Sequence, residues 1–273
     1  MTRKINATWP LSIVGTWLLL LLFGCATGRT QPTAEVTDFF VDPVGKSYLL
    51  LADDRLVTDN PLGQNSFEFY DSSLGHPEVV DVSNPFAILL FYADFGTVVV
   101  LNRTLSEVSR IDLFSLEGLE QPVAVARASD NGIWVFDSWD YRLKLFDPAG
   151  RQRLASNDLR LEIGQSSEPS AIFVDRARVL LHYAESRKLA VFTNFGRFEN
   201  WIALPPSENP AWYAPWFTGN SGEESWTWRV GWKEARTQVQ KKVKGKVLTG
   251  NDGFYHLDEN GRVVYSPYTI KQE

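Results

Sequence analysis

Cysteine is almost missing from this chain: Cys25 is the only one in 273 residues. No internal disulfide can staple the fold. Histidine is nearly as scarce. His76, His182 and His256 show no H-x-x-x-H spacing, and with no cysteine cluster beside them no metal-ligating motif is present. A glycine-rich phosphate loop and a glycine–serine nucleophile elbow are also absent. So is a hydrophobic run long enough for an ordinary membrane span. The apolar stretch Leu11–Phe23 has 13 residues, whereas a span needs about 20. What holds the fold must then be apolar burial, and 44% apolar with 13% aromatic residues is enough for one or two ordinary cores.

The N-terminus has its own logic. Arg3 and Lys4 precede Leu11–Phe23, which ends in Leu22-Phe23-Gly24-Cys25. This pattern resembles a bacterial lipoprotein signal with its lipobox. The resemblance implies that residues 1–24 are removed and that Cys25 becomes a lipidated first residue. Several acyl chains, palmitate among them, would give stable anchoring. A non-cleaved anchor with a chance cysteine is the competing reading. Ala26 follows the cysteine with no aspartate, and no acidic run comes after it; by the same resemblance the outer membrane is expected, with the protein facing the periplasm. Residues 25–35 read as the lipidated cysteine and a flexible tether. Loss of Arg3 and Lys4 leaves 33 acids against 25 bases, a net charge of −8 that argues against nucleic acid as a partner.

Beyond residue 36 the chain repeats. Pro122–Arg151 reads as three short strands punctuated by Asp130-Asn131-Gly132 and Pro148-Ala149-Gly150. Pro77, Pro122 and Pro169 open three copies, 45 and 47 residues apart. Hairpins align at Ile88–Asn102, Ile133–Asp147 and Val179–Thr193, with further copies at Tyr48–Asp59 and Phe254–Asp258. Each has an apolar strand, a polar turn and a second apolar strand. A period near 45 with several short strands per unit predicts an all-β propeller of four-stranded blades over residues 36–273. One small sheet cannot bury both faces, and stacking blades around an axis covers them. A β-sandwich or a long meander is the alternative. Five hairpins predict about five blades, with the strand near Val36–Val41 closing the last. A sixth is possible only if it hides where the repeat is irregular.

The residues Pro122-Val-Ala-Val, then Asn131-Gly-Ile-Trp-Val-Phe-Asp137, then Arg142-Leu-Lys-Leu-Phe-Asp147 and Gly150-Arg151 carry a resemblance to the NHL-type propeller repeat. Phe40–Gly45 followed by Tyr48-Leu49-Leu50 is similar to the opening of that repeat. NHL-type propellers commonly have six blades.

Residues 205–246 break the pattern and read as a Trp-rich insertion, the candidate partner or ligand surface. Trp212, Trp216, Trp226, Trp228 and Trp232 fall within it. Trp226, Trp228, Val230 and Trp232 alternate, which places them on one face of a strand. An aromatic platform for a sugar or a protein and a stripe buried in a blade core both fit this pattern. Arg229, Lys233, Arg236, Lys241, Lys242, Lys244 and Lys246 against Glu234 make a basic stretch of net +6. It suits anionic head groups or an acidic partner, or an edge hairpin blunted by lysines.

Catalysis has little to stand on. Asp94, Asp147, Glu185 and Asp258 recur at turns, where carboxylates cap nearby amides. The expectation is a non-enzyme with no cofactor and no metal: a lipid-anchored scaffold that binds a protein partner in the outer membrane, as an accessory subunit of an assembly or secretion complex. Propeller lipoproteins that serve β-barrel machinery supply that analogy. A glycan- or small-ligand-binding lipoprotein using the Trp-rich insertion is the alternative, and an axial-channel hydrolase or lyase a third.

Overall fold

The computed structural model describes residues 34–59, 66–221, 224–238 and 245–268. The expected leader, Cys25 and most of the tether lie outside the described residues, as do Lys241, Lys242 and Lys244.

Each blade is a meander cut from one continuous stretch of chain. Blade one holds β1 (Val36–Val41), β2 (Ser47–Leu51), β3 (Leu56–Thr58) and β4 (Glu68–Phe69). Blade two holds β5 (Val79–Asp81), β6 (Ile88–Tyr92), β7 (Thr97–Leu101) and β8 (Glu107–Asp112). Blade three follows with β9 (Pro122–Arg127), β10 (Ile133–Asp137), β11 (Arg142–Phe146) and β12 (Gln152–Ala155). Blade four comprises β13 (Ala171–Asp175), β14 (Arg178–Tyr183), β15 (Lys188–Thr193) and β16 (Phe198–Ala203). Blade five has β17 (Ala211–Tyr213), β18 (Trp216–Ser221), β19 (Glu224–Arg229) and β20 (Arg236–Gln238). Blade six shows β21 (Leu248–Thr249), β22 (Gly253–Leu257) and β23 (Val263–Pro267) among the described residues. All described neighbours are antiparallel, and the whole is a six-bladed β-propeller.

The number of blades corrects the expectation of five. The sixth lies in the segment that looked irregular. Blades one to four start their second strands at Ser47, Ile88, Ile133 and Arg178, 41 to 45 residues apart. The next steps, Arg178 to Trp216 and Trp216 to Gly253, shorten to 38 and 37 residues. Two compact blades therefore fit where one long repeat was expected. The strand Val36–Val41 does not close the last blade; it pairs with Ser47–Leu51 in blade one.

Two-sided burial explains the apolar runs. In β6, Ile88, Leu90 and Tyr92 pack into a cluster shared with Tyr48 and Leu56 of blade one. Leu89 and Phe91 point the other way and pack with Val125 and Val135 of blade three. Successive side chains on a strand face opposite sides, so a strand between two neighbours must be apolar at every position. Similar clusters join blade three to four and four to five. Blade six meets blades one and five through Phe39, Val41, Ala211 and Leu248. Each fully buried Leu, Val or Phe contributes roughly 1.5–3 kcal/mol. The fourth strands face water: β8 is exposed at five of its six positions.

One turn recurs through the ring. Asp42, Asn102, Asp147, Thr193 and Asp258 each accept amide hydrogen bonds two and four residues ahead. The residue three ahead has positive φ: Gly45, Leu105, Gly150, Gly196 and Gly261, between 55° and 85°. Glycine reaches that region without cost, and four of the five positions use it.

Connections in a meander alternate between its two ends. The loops after each second strand, and the linkers from blade to blade, gather at one end of the propeller, here the linker end. The loops after first and third strands gather at the other, the turn end.

Candidate functional site: the axial cavity and the blade-five aromatics

The innermost strands of five blades surround a cavity of about 640 Å3. Phe40 and Val41 come from β1, Val79–Asp81 from β5, Ile172–Val174 from β13, Ala211–Tyr213 from β17 and Leu248 from β21. Trp212 and Trp216 both line it.

The five tryptophans separate into two groups. Trp226 and Trp228 are 3% and 1% exposed, so they cannot form a surface platform. They pack with Leu180, Ile202 and Phe217 between blades four and five. Their indole NH groups donate to Pro206 O and Trp232 O, both at 3.0 Å. Burial of a tryptophan is affordable only when its NH finds such a partner. Of the two readings of the alternating stripe, a surface platform and a buried core, Trp226 and Trp228 follow the core. Gly219 sits opposite Trp226, where the ring and Ser207 leave no room for a Cβ.

Trp212, Trp216 and Trp232 are only partly buried. Trp212 stacks on Phe173, with centroids 5.5 Å apart and planes 22° apart. Trp216 meets Trp232 edge-on at 5.6 Å. Arg229 lies 5.4 Å from the Trp216 ring and Arg236 3.9 Å from the Trp232 ring. Arg229, Trp216, Trp232 and Arg236 thus form a cation–aromatic ladder beside the cavity. Of the basic stretch, Lys246 turns inward: its Nζ is 2.9 Å from one Asp38 oxygen and 3.1 Å from the other. It also lies 4.3 Å from the Phe40 ring. Burial pulls the Lys246 pKa below the usual lysine range, and Asp38 acts against that. Lysine in this place is therefore a structural partner of blade one, not part of an edge hairpin.

Lys246, Ser83 and Asn251 line the cavity, and its acidic groups are Asp38 and Glu78 at the linker end, with Asp81 and Asp252 towards the turn end. Sequence reasoning did not single out these four carboxylates. Their signal is position: Asp38 lies within an innermost strand, Glu78 and Asp81 flank or end one, and Asp252 lies in the turn that follows one. Tyr213 also lines the cavity, and burial pushes its hydroxyl up to about 12. No group of three or more His, Cys, Asp or Glu able to hold a metal occurs among the described residues.

His182 and His256 are built into strands, whereas His76 is exposed in the linker from blade one to blade two. His182, 7% exposed, lies 6.2 Å from Phe173 and 5.2 Å from Phe217, with Ser170 Oγ 3.0 Å from Nδ1. Burial brings its pKa down to about 4. His256 meets Ser266 Oγ at 3.1 Å, and His76 meets Asp54 at 2.8 Å. Asp147 and Asp258 serve the recurrent turn, as their turn positions implied.

The linker end has a different surface. Tyr70, Phe95, Phe114, Trp139 and Leu161 all fall in its loops and linkers, and all are exposed, Trp139 by 71% and Leu161 by 86%. Phe114 lies flat against Gly96, in the space a Cβ would fill.

No family model matches the chain, and no curated protein does. Solved structures do match. A catalytically inactive virginiamycin B lyase from Staphylococcus aureus, with quinupristin, is 13% identical; the match covers 89% of this chain and 87% of that one, with a TM-score of 0.57. A streptogramin B lyase is 11% identical over 89% and 86%, also with a TM-score of 0.57. BamB from Moraxella catarrhalis is 12% identical over 85% and 83%, with a TM-score of 0.47. At these identities the likeness to the two lyases is one of fold.

Proposed function

We propose that this chain is a lipid-anchored propeller that works as a protein-interaction scaffold at the outer membrane, an accessory subunit of an assembly or secretion complex. The observation that carries the reading is the apolar linker end. Five large apolar side chains stand exposed there across the loops and linkers from blade one to blade four. Scattered apolar residues are normal on any surface, and the turn end also exposes Val44, Phe86 and Phe195, but the linker end carries the larger group, five on one face, which suits a partner that covers them. Aromatic residues are also enriched at the cores of protein interfaces. Cys25 supplies the anchor, and a periplasmic position follows from the residues after it. No helix among the described residues is long and apolar enough to cross a membrane.

The test is a tagged pull-down from gently solubilised outer membranes, read by mass spectrometry, with the wild type beside Trp139→Glu/Leu161→Glu. A stoichiometric barrel or secretion component is expected with the wild type and not with the variant. Recovery of the chain alone, or equal recovery of the partner with the variant, would overturn the scaffold. Labelled palmitate should enter the wild type and not Cys25→Ser, which tests the anchor separately.

A further inference from the structure

None of the five exposed linker-end side chains lines the axial cavity, which has its own chemistry. Its volume of about 640 Å3 is in the range of small-molecule sites, which run from about 300 to 1,000 Å3. Aromatic rings from several blades line it, among them Phe40, Phe173, Trp212 and Tyr255.

Its charges do not balance. Asp38 is neutralised by Lys246. Asp81 accepts the amides of Ser83 and Arg127 and is attracted to the buried Arg127 guanidinium. Glu78 accepts only the Ala93 amide, at 2.7 Å, and no cation pairs with it among the described residues. Asp252 lines the cavity towards the turn end and likewise has no cationic partner among the described residues. Both carboxylates are exposed to solvent, one towards each end of the cavity, and neither has a countercharge among the described residues. Aromatic rings of the same cavity already attract cations. Lys246 lies over Phe40, and Arg229 over Trp216.

We propose that the axial cavity is a binding site for a small organic cation, a flat apolar body bearing a protonated amine, guanidinium or quaternary ammonium group. Trp212 and its neighbours receive the apolar body, and Glu78 and Asp252 supply the negative field. Ring faces attract such a cation most strongly where water is excluded. A neutral sugar would stack on the rings without gaining from the negative field of Glu78 and Asp252. An anion would meet repulsion from them.

The experiment is isothermal titration of the full chain in a non-ionic detergent with three probes: benzyltrimethylammonium, benzenesulfonate and maltotriose. The cation should bind saturably with a Kd of about 1 mM or tighter, and the other two should not. Glu78→Gln/Asp252→Asn keeps the shapes and the acceptor for Ala93 while removing both charges. It should weaken the cation roughly fivefold or more, with an unchanged circular dichroism spectrum. Binding of benzenesulfonate or maltotriose as tightly as the cation would overturn the proposal. So would cation binding unchanged in the double variant, or no saturable cation binding at all. None of these results depends on the partner at the linker end.

Discussion

His182 shows how a single residue can couple this fold to pH. It sits in β14 between Phe173 and Phe217, neutral, with its pKa brought down to about 4 by burial. In the unfolded chain a histidine titrates near 6.5. The folded value is the lower one, so the contribution is fully present above about 6.5. It is lost progressively as pH falls from there through about 4. The whole effect amounts to about 3 kcal/mol at most. Urea unfolding at neutral pH and near pH 5 should show this loss in the wild type and much less of it in His182→Phe. An equal loss in both would assign the acid sensitivity to other groups. Asp137 has the same sign. Burial pushes its pKa up, but the Lys144 ammonium and three backbone amides outweigh burial and hold it below the usual carboxylate range. Its stabilising contribution therefore disappears only at still lower pH.

At the scale of the element, β19 decides what the tryptophans are for. Trp226 and Trp228 fill the interior between blades four and five, while Arg229 at the end of the strand is exposed. Trp228→Ala should destabilise the protein by about 3–5 kcal/mol. Folded material that remains should still recover the partner, with the loss read by chemical denaturation and pull-down on the same preparation. A stable variant with normal unfolding and no partner would instead return Trp228 to the surface. The legibility of the elements follows the same physics. Ile88–Tyr92 and Thr97–Leu101 are apolar almost throughout and could be read as strands at sight. Blade five could not. Thr218, Gly219 and Thr227 interrupt its apolar pattern although all three are buried. A glycine there signals nothing until Trp226 and Ser207 are seen to occupy the space its side chain would need. The tryptophan alternation was legible; which rings face the axis and which face the next blade was not, because that depends on the neighbouring blades. The cavity carboxylates were hidden for a related reason. Asp38, the pair Glu78 and Asp81, and Asp252 are far apart in sequence and line one cavity only because the innermost strands gather around one axis.

At the scale of the whole molecule, the ring closes by side-chain packing and a few polar contacts. Phe39 and Val41 of blade one and Leu248 of blade six share a cluster, Asp38 pairs with Lys246, and Asp59 accepts the Val263 amide at 3.2 Å. Only four residues are fully buried in that cluster, against fourteen in the cluster between blades three and four, among the described residues. Less apolar burial means less local stability. Native-state hydrogen exchange should find the amides of β22 opening before those of β10 and β14. Equal protection across the three would show that the ring opens only as a whole.

Every blade is also one uninterrupted piece of chain, since no sheet borrows a strand from another among the described residues. The place where the polypeptide begins is then a matter of history more than of architecture. A gene rearranged to start at Pro122, with the present ends joined by a flexible link, would encode the same six units in the same circular order. Such a chain could lose or gain a unit without untangling any other, which is how families of rings with different numbers of blades can descend from one another.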